Sequence, residues 1–123
     1  ITKKRISNAK YLDKELKNIR SIQLPERNRS KEVFHIYSFL AKNRDKLIKY
    51  LISKGIDAKK HYPVAMHLQK PSKKKFGYKK GDFKIAEEVA KNTVSLPVHE
   101  FLTKKDLLII TNMIKNFYNT NKQ

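Results

Sequence analysis

The sequence predicts a small α/β (α+β) sandwich, with helices packed on a short sheet. Three observations lead there. Segments with apolar residues at three- and four-residue spacing alternate along the chain with short runs that read as strands. The 123 residues, 39% of them hydrophobic, suffice for one compact domain with a modest core and not for two, so residues 1–123 are read as a single small domain. There is no cysteine, which excludes a disulfide framework and thiolate metal sites and suits a cytoplasmic protein.

The elements follow in order. Ile6, Ala9, Leu12, Leu16 and Ile19 share one helical face, so residues 2–20 form an amphipathic helix with lysines outward. "IQLPERNRS" (22–30) breaks that pattern, because Pro25 cannot sit inside a helix and the polar tail reads as an exposed connection. "EVFHIYSFL" (32–40) alternates, with Val33, His35, Tyr37 and Phe39 on one side and Phe34, Ile36, Ser38 and Leu40 on the other, as in a strand covered on both faces. His35 is then a core histidine. Asn43 caps the next helix, Asp45 favours its positive end, and Leu47, Ile48, Leu51 and Ile52 form its buried stripe. Gly55 ends it in a left-handed conformation. "IDAKKHYP" (56–63) is extended, since Pro63 biases Tyr62 away from the helical region. Beyond a lysine-rich loop, "KPSKKKFGYKK" (70–80), Asp82 caps a helix that turns Ile85, Ala86, Val89 and Ala90 inward, and "VSLP" (94–97) forms a short strand. The closing helix opens on Thr103 and Asp106 in a capping-box relation, with Leu102 and Leu107 spaced as a hydrophobic staple, and Leu107, Ile110, Ile114 and Phe117 carry it to about residue 118.

A net charge of +18 attracts polyanions, but its 29 cations are 24 lysines and 5 arginines, and the arginine fork that reads phosphates and guanine edges is scarce. The lysines are spread over every segment except for the cluster at 70–80, so nucleic acid is not the expected partner, and a free-standing basic nucleic-acid-binding module is the alternative reading. No apolar run approaches the ~20 residues of a membrane helix and no leader-like segment opens the chain, so no membrane partner is expected. His61 and His67 share no helical face and have no carboxylate or cysteine at ligand spacing, which argues against a metal site. No serine elbow is present, and the three glycines are too dispersed for a phosphate loop. The residues alone therefore define no catalytic apparatus.

Four stretches of the sequence carry more. "KGIDAKKHYPVAMHLQ" followed by "FGYKKGDFKIAEEVAKNTVSLPVHEFLTKKDLLIITNMIKNFY" resembles the C-terminal part of the DegT/DnrJ-type sugar-nucleotide aminotransferases, and "RISNAKYLDKEL" and "VFHIY" are similar to the long helix and first strand of that family's small domain. The resemblance spans essentially the whole chain. It implies the small C-terminal domain of a fold type I pyridoxal-phosphate transferase, from an enzyme that moves an amino group from an amino acid, glutamate by preference, to a nucleotide-linked keto sugar. Lipopolysaccharide, other cell-surface polysaccharide or modified-sugar biosynthesis is the implied setting. The parent enzyme would use pyridoxal phosphate, a nucleotide-sugar substrate and an amino donor, and would be a homodimer.

The resemblance also implies what is missing. The large domain that carries the Schiff-base lysine is not matched, no lysine here corresponds to the catalytic one, and the chain alone is expected to bind no cofactor and to be inactive. The family's HYP segment faces the cofactor cleft, which makes His61, Tyr62 and Pro63 the expected substrate-binding residues, with His67 and Gln69 lining or bracing the same mouth.

Overall fold

The computed structural model describes residues 1–28 and 30–120. Its elements run α1 (Thr2–Leu16), β1 (Ile22–Gln23), β2 (Tyr37–Ala41), α2 (Arg44–Ser53), a 3-10 turn (Met66–Leu68), α3 (Lys70–Phe76), α4 (Lys84–Asn92), β3 (Thr93–Leu96) and α5 (Lys104–Thr120). The sheet is antiparallel in the order β1-β2-β3, with Ile22 opposite Ala41 and Tyr37 opposite Leu96. Helix α5 packs on α1 and α2, and the core joins Leu12 and Leu16 of α1, Leu47 and Leu51 of α2, Ile110 and Ile114 of α5, and Tyr37, Phe39 and Val94 of the sheet. On the opposite face of the sheet, Ser38 and Ser95 share a hydrogen bond of 2.8 Å.

Helices α1, α2 and α5 are where the apolar spacing puts them, because burial of a continuous stripe stabilises each element by an amount that no local polar interaction rivals, but Ile52, expected in the buried stripe of α2, is 57% exposed. Helix α1 stops at Leu16 rather than near residue 20, and turns over residues 17–21 lead into β1, a two-residue strand inside the segment expected to be a plain connection. Gly55, at φ +80°, occupies the left-handed position beyond α2. Thr103 and Asp106 form the capping box: Asp106 N–H donates to Thr103 Oγ1 at 3.1 Å, and Thr103 N–H donates to Asp106 Oδ2 at 2.8 Å.

Several expectations are corrected. The strand expected over 32–40 begins only at Tyr37, because Phe34 adopts a left-handed conformation (φ 51°) that breaks the alternation. His35 is consequently exposed, not a core residue, and it is the His35 carbonyl that takes part in packing, accepting from Arg5 Nη1 at 3.2 Å. Asn43 does precede α2 but makes no side-chain cap hydrogen bond. Residues 56–63 add no strand to the sheet; only Lys59 bridges to Ser95, with backbone hydrogen bonds of 2.8 and 3.0 Å.

The lysine-rich loop contains a helix, α3, with Pro71 in its first turn, where a missing N–H costs nothing. Asp82 is not the cap of α4. Phe83 holds that position, and the Asp82 carboxylate instead accepts from Lys79 N–H at 2.9 Å. Of the four residues expected to face inward on α4, only Ala90 is buried, while Ile85 is 83% exposed, because α4 meets the central strand β2 without contributing to the core cluster. No helix among the described residues is long and apolar enough to cross a membrane.

Candidate functional site

The segment after α2 is anchored at one point and then leaves the sheet. Lys59 pairs with Ser95 of β3, and the chain continues through a cis His61–Tyr62 peptide into Pro63 and the 3-10 turn. His61 is half-buried; its Nδ1 is shielded from solvent and has no hydrogen-bond partner, and its ring stands edge-on to Tyr62 at 5.5 Å. Tyr62 is 69% exposed. The corner therefore presents the Tyr62 phenol outward and holds the His61 imidazole half-buried beside it, with Pro63 restricting its exit.

Beyond Pro63 the chain forms one wall of a cleft of about 740 Å³, with Pro63, Val64 and Leu68 facing Lys80, Lys84 and Lys91 across it. Arg44 lies at its base, buried, and its Nη1 donates to the carbonyls of Ala90 and Thr93 at 3.0 Å each. A guanidinium at that place satisfies carbonyls at the C-terminal end of α4, where a positive charge is favoured. A larger groove of about 880 Å³ between the ends of α1 and α5 is spanned by the Glu15–Lys115 ion pair and lies away from the His61 corner.

His67 is buried at the back of this region. Its Nε2 lies 3.3 Å from Glu87 Oε2, and its ring meets Phe83 edge-on at 4.9 Å. Glu87 also accepts from Gly81 N–H at 2.9 and 3.0 Å, so one carboxylate in the first turn of α4 ties together the 3-10 turn and the 77–83 loop. Those contacts, the Gly81 N–H foremost and His67 after it, hold the Glu87 carboxyl below its usual range.

Of the five residues expected at one mouth, Pro63 lines the cleft, His61 and Tyr62 form the corner beside it, and His67 reaches it only through Glu87. Gln69 is exposed and precedes α3 without a side-chain cap hydrogen bond. Sequence reasoning missed Arg44 and Glu87. The available signal for Glu87 was its position in the first turn of a helix, where a carboxylate is favoured; for Arg44 there was none, since a buried arginine looks like any other until its carbonyl partners are located. No group of three or more potential metal ligands is assembled among the described residues.

The fold is that of the small domain of a fold type I aminotransferase. The chain belongs to the DegT/DnrJ/EryC1/StrS aminotransferase family, whose model matches residues 1–115. It is 31% identical over 103 residues to the erythromycin biosynthesis sensory transduction protein EryC1 of Saccharopolyspora erythraea, covering 83% of this chain and 28% of that one. To the dTDP-3-amino-3,4,6-trideoxy-alpha-D-glucose transaminase of Streptomyces venezuelae it is 29% identical over 85 residues, covering 69% of this chain and 22% of that one. In structure it is similar to S. venezuelae DesV in complex with a ketimine intermediate, with a TM-score of 0.89 and 26% identity over 94% of this chain and 31% of that chain. A sugar aminotransferase fold therefore extends over nearly all of the chain, and the match spans about a fifth to a third of the length of the relatives.

Pyridoxal phosphate is the cofactor expected of family members. Its Schiff base needs a lysine amine in a desolvated pocket, and every lysine among the described residues is exposed or half-buried. No lysine pocket of that kind is formed among the described residues, and no step of catalysis is assigned to them.

Proposed function

We propose that the chain acts as the C-terminal portion of a pyridoxal-phosphate-dependent sugar-nucleotide aminotransferase, which transfers an amino group from an amino acid, glutamate by preference, to a keto group on a nucleotide-linked sugar. On this reading the His61–Tyr62–Pro63 corner is the part of the chain that meets substrate. One observation carries the assignment: the corner leaves the sheet immediately after its Lys59–Ser95 anchor and sets an exposed phenol and a half-buried imidazole beside a cleft lined by Lys80, Lys84 and Lys91 together with Glu87 and Glu88. The imidazole and the phenol suit hydroxyl and phosphate oxygens, and the lysines favour an anionic ligand. The kinship with a transaminase of a dTDP-linked sugar supports the substrate class. Modified-sugar or cell-surface polysaccharide synthesis in the cytoplasm, with a homodimeric enzyme, is the setting that fits.

The residues of this chain bind and orient; the electron sink belongs to the cofactor. The chain by itself is thus inactive. In a protein that joins this chain to a cofactor-binding large domain, glutamate-dependent amination of a nucleotide-linked keto sugar is expected, with His61→Ala and Tyr62→Phe each lowering kcat/KM by about tenfold or more. The matched exposed variant His35→Ala should leave it unchanged. Absence of transamination from a folded, cofactor-loaded protein overturns the reaction, and wild-type kinetics in both corner variants overturns the site.

A further inference from the structure

Seven lysines lie between Lys70 and Lys84, all of them exposed. The ion-paired lysines among the described residues are Lys59, Lys60 and Lys115, so none of the seven is neutralised by a carboxylate. The single acid in the stretch, Asp82, is engaged by Lys79 N–H. Helix α3 buries no residue at all, so it stands on the surface and contributes nothing to the core. Lys70, Lys73 and Lys74 are spaced to share one helical face.

Aromatic rings accompany the charge. Phe76 and Tyr78 lie 5.7 Å apart, Tyr78 and Phe83 lie 5.4 Å apart, and the three are 59%, 37% and 48% exposed. Lys75 Nζ sits 5.3 Å from the Phe76 ring centre. Leaving three clustered rings in water is unfavourable unless another surface covers them.

We propose that the surface carried by α3 and the residues just after it, Lys70–Lys79, which lies outside the cleft lining, docks peripherally on an anionic phospholipid bilayer. The expectation of no membrane partner rested on the lack of a spanning helix, and a peripheral contact needs none. Lysines attracted to a negative leaflet, with aromatic rings seated at the headgroup level, are the two components such contacts use. Single-stranded nucleic acid also pairs lysines with aromatics, but it requires a groove and open ring faces on which bases stack. Here the element is a projecting helix, and Tyr78 and Phe83 meet edge to face at 77°, so the rings close on each other. The stretch also has no arginine, the residue best suited to bidentate phosphate contacts.

The test is cosedimentation of the chain with phosphatidylcholine vesicles, with and without phosphatidylglycerol, at physiological salt. Binding is expected only to the anionic vesicles, and the triple change Lys73→Gln, Lys74→Gln, Lys75→Gln should weaken it about a hundredfold, at roughly 1 kcal/mol for each lysine near the surface. A control with the same loss of charge on α1, at Lys3, Lys4 and Lys10, should retain most of the binding. Phe76→Ser should reduce the binding that survives at raised salt. Helix α3 carries no core residue, so circular dichroism should show all variants folded. Absence of vesicle binding, or equal loss in both triple variants, overturns the proposal. Tighter binding to single-stranded RNA than to vesicles at the same salt overturns it in favour of a nucleic-acid surface. None of these readouts depends on the enzymatic reading.

Discussion

The Tyr37 hydroxyl donates to Asp13 Oδ1 at 2.8 Å, which ties the first residue of β2 to the last turn of α1. Arg27 grips the same carboxylate through Nε at 3.0 Å and Nη2 at 3.1 Å, and its guanidinium lies over the Phe34 ring at 4.9 Å. One aspartate thereby organises the irregular stretch between β1 and β2, which has little apolar surface of its own to bury.

The first prediction follows from that shared carboxylate. Asp13→Ala leaves the hydroxyl of a fully buried tyrosine unpaired and should cost about 1–3 kcal/mol, whereas Tyr37→Phe, which leaves Asp13 with Arg27, should cost about 1 kcal/mol. Urea unfolding of both variants and the double variant measures the coupling. Burial first, and the Asp13 contact second, push the Tyr37 phenol well above its usual range, while burial pushes Tyr118 up to about 12. A phenol whose ionisation is raised by folding contributes stability that is present below about pH 10 and lost as pH climbs above it. Alkaline unfolding should therefore be less steep in Tyr37→Phe than in the wild type, and parallel profiles would remove the phenol from the explanation.

A second prediction concerns the start of α5. Thr103→Ala removes the hydroxyl that accepts from Asp106 N–H, and should cost about 1 kcal/mol, while Thr103→Ser should retain most of it. Thermal unfolding distinguishes the two. The backbone N–H of Thr103 and then its hydroxyl hold the Asp106 carboxyl below the usual range, so the cap stabilises above about pH 4 and fades as the solution is acidified further.

What could be read from the residues divides along physical lines. The cap at Thr103, the left-handed Gly55 and the apolar stripes of α1, α2 and α5 were legible because each depends on neighbours within a turn or on a period. The break at Phe34 was not, since the alternation of 32–40 persists in the sequence while the backbone leaves it, held by Arg5 from far along the chain and by Arg27 across the connection. Helix α3 was hidden by its composition: without an apolar stripe it gives no periodic signal. For the candidate site, the HYP corner was legible only through resemblance. The roles of Glu87 and Arg44 depend on contacts 6 to 49 residues away, which spacing does not encode.

The third prediction tests Arg44. Its Nη1 is the hydrogen-bond donor to both Ala90 O and Thr93 O in a buried setting, and its Nε donates to Asp45 Oδ1 at 2.8 Å. Arg44→Met keeps much of the stem's packing but strands the two carbonyls, so a loss of about 2–3 kcal/mol is expected. Arg44→Lys should recover less than half, because one ammonium cannot span the fork's three contacts. Chemical denaturation gives both values, and amide exchange should accelerate at the α4–β3 junction before it does in α5. Near-wild-type stability in Arg44→Met would show that water satisfies these carbonyls.

The fourth prediction turns on Glu87 and its three contacts. Its carboxylate accepts twice from Gly81 N–H and lies 3.3 Å from His67 Nε2, so it is the tie between the 77–83 loop and the 3-10 turn that follows the HYP corner. Glu87→Gln can keep one acceptor oxygen but loses the charge, and the loop should then exchange its amides faster while the core helices do not change. The sign of the pH effect follows from the lowered carboxyl. A group that folding makes more acidic contributes its stability above the ordinary carboxylate range, and that contribution disappears as pH falls through the depressed value. The difference in loop protection between wild type and Glu87→Gln should accordingly be full near neutrality and shrink below about pH 4. His67→Gln removes the imidazole partner and leaves the Gly81 N–H in place, so its loop should lie between the two. A gap between wild type and Glu87→Gln that stayed constant across the acid limb would mean that the carboxylate's charge has no part in holding the loop.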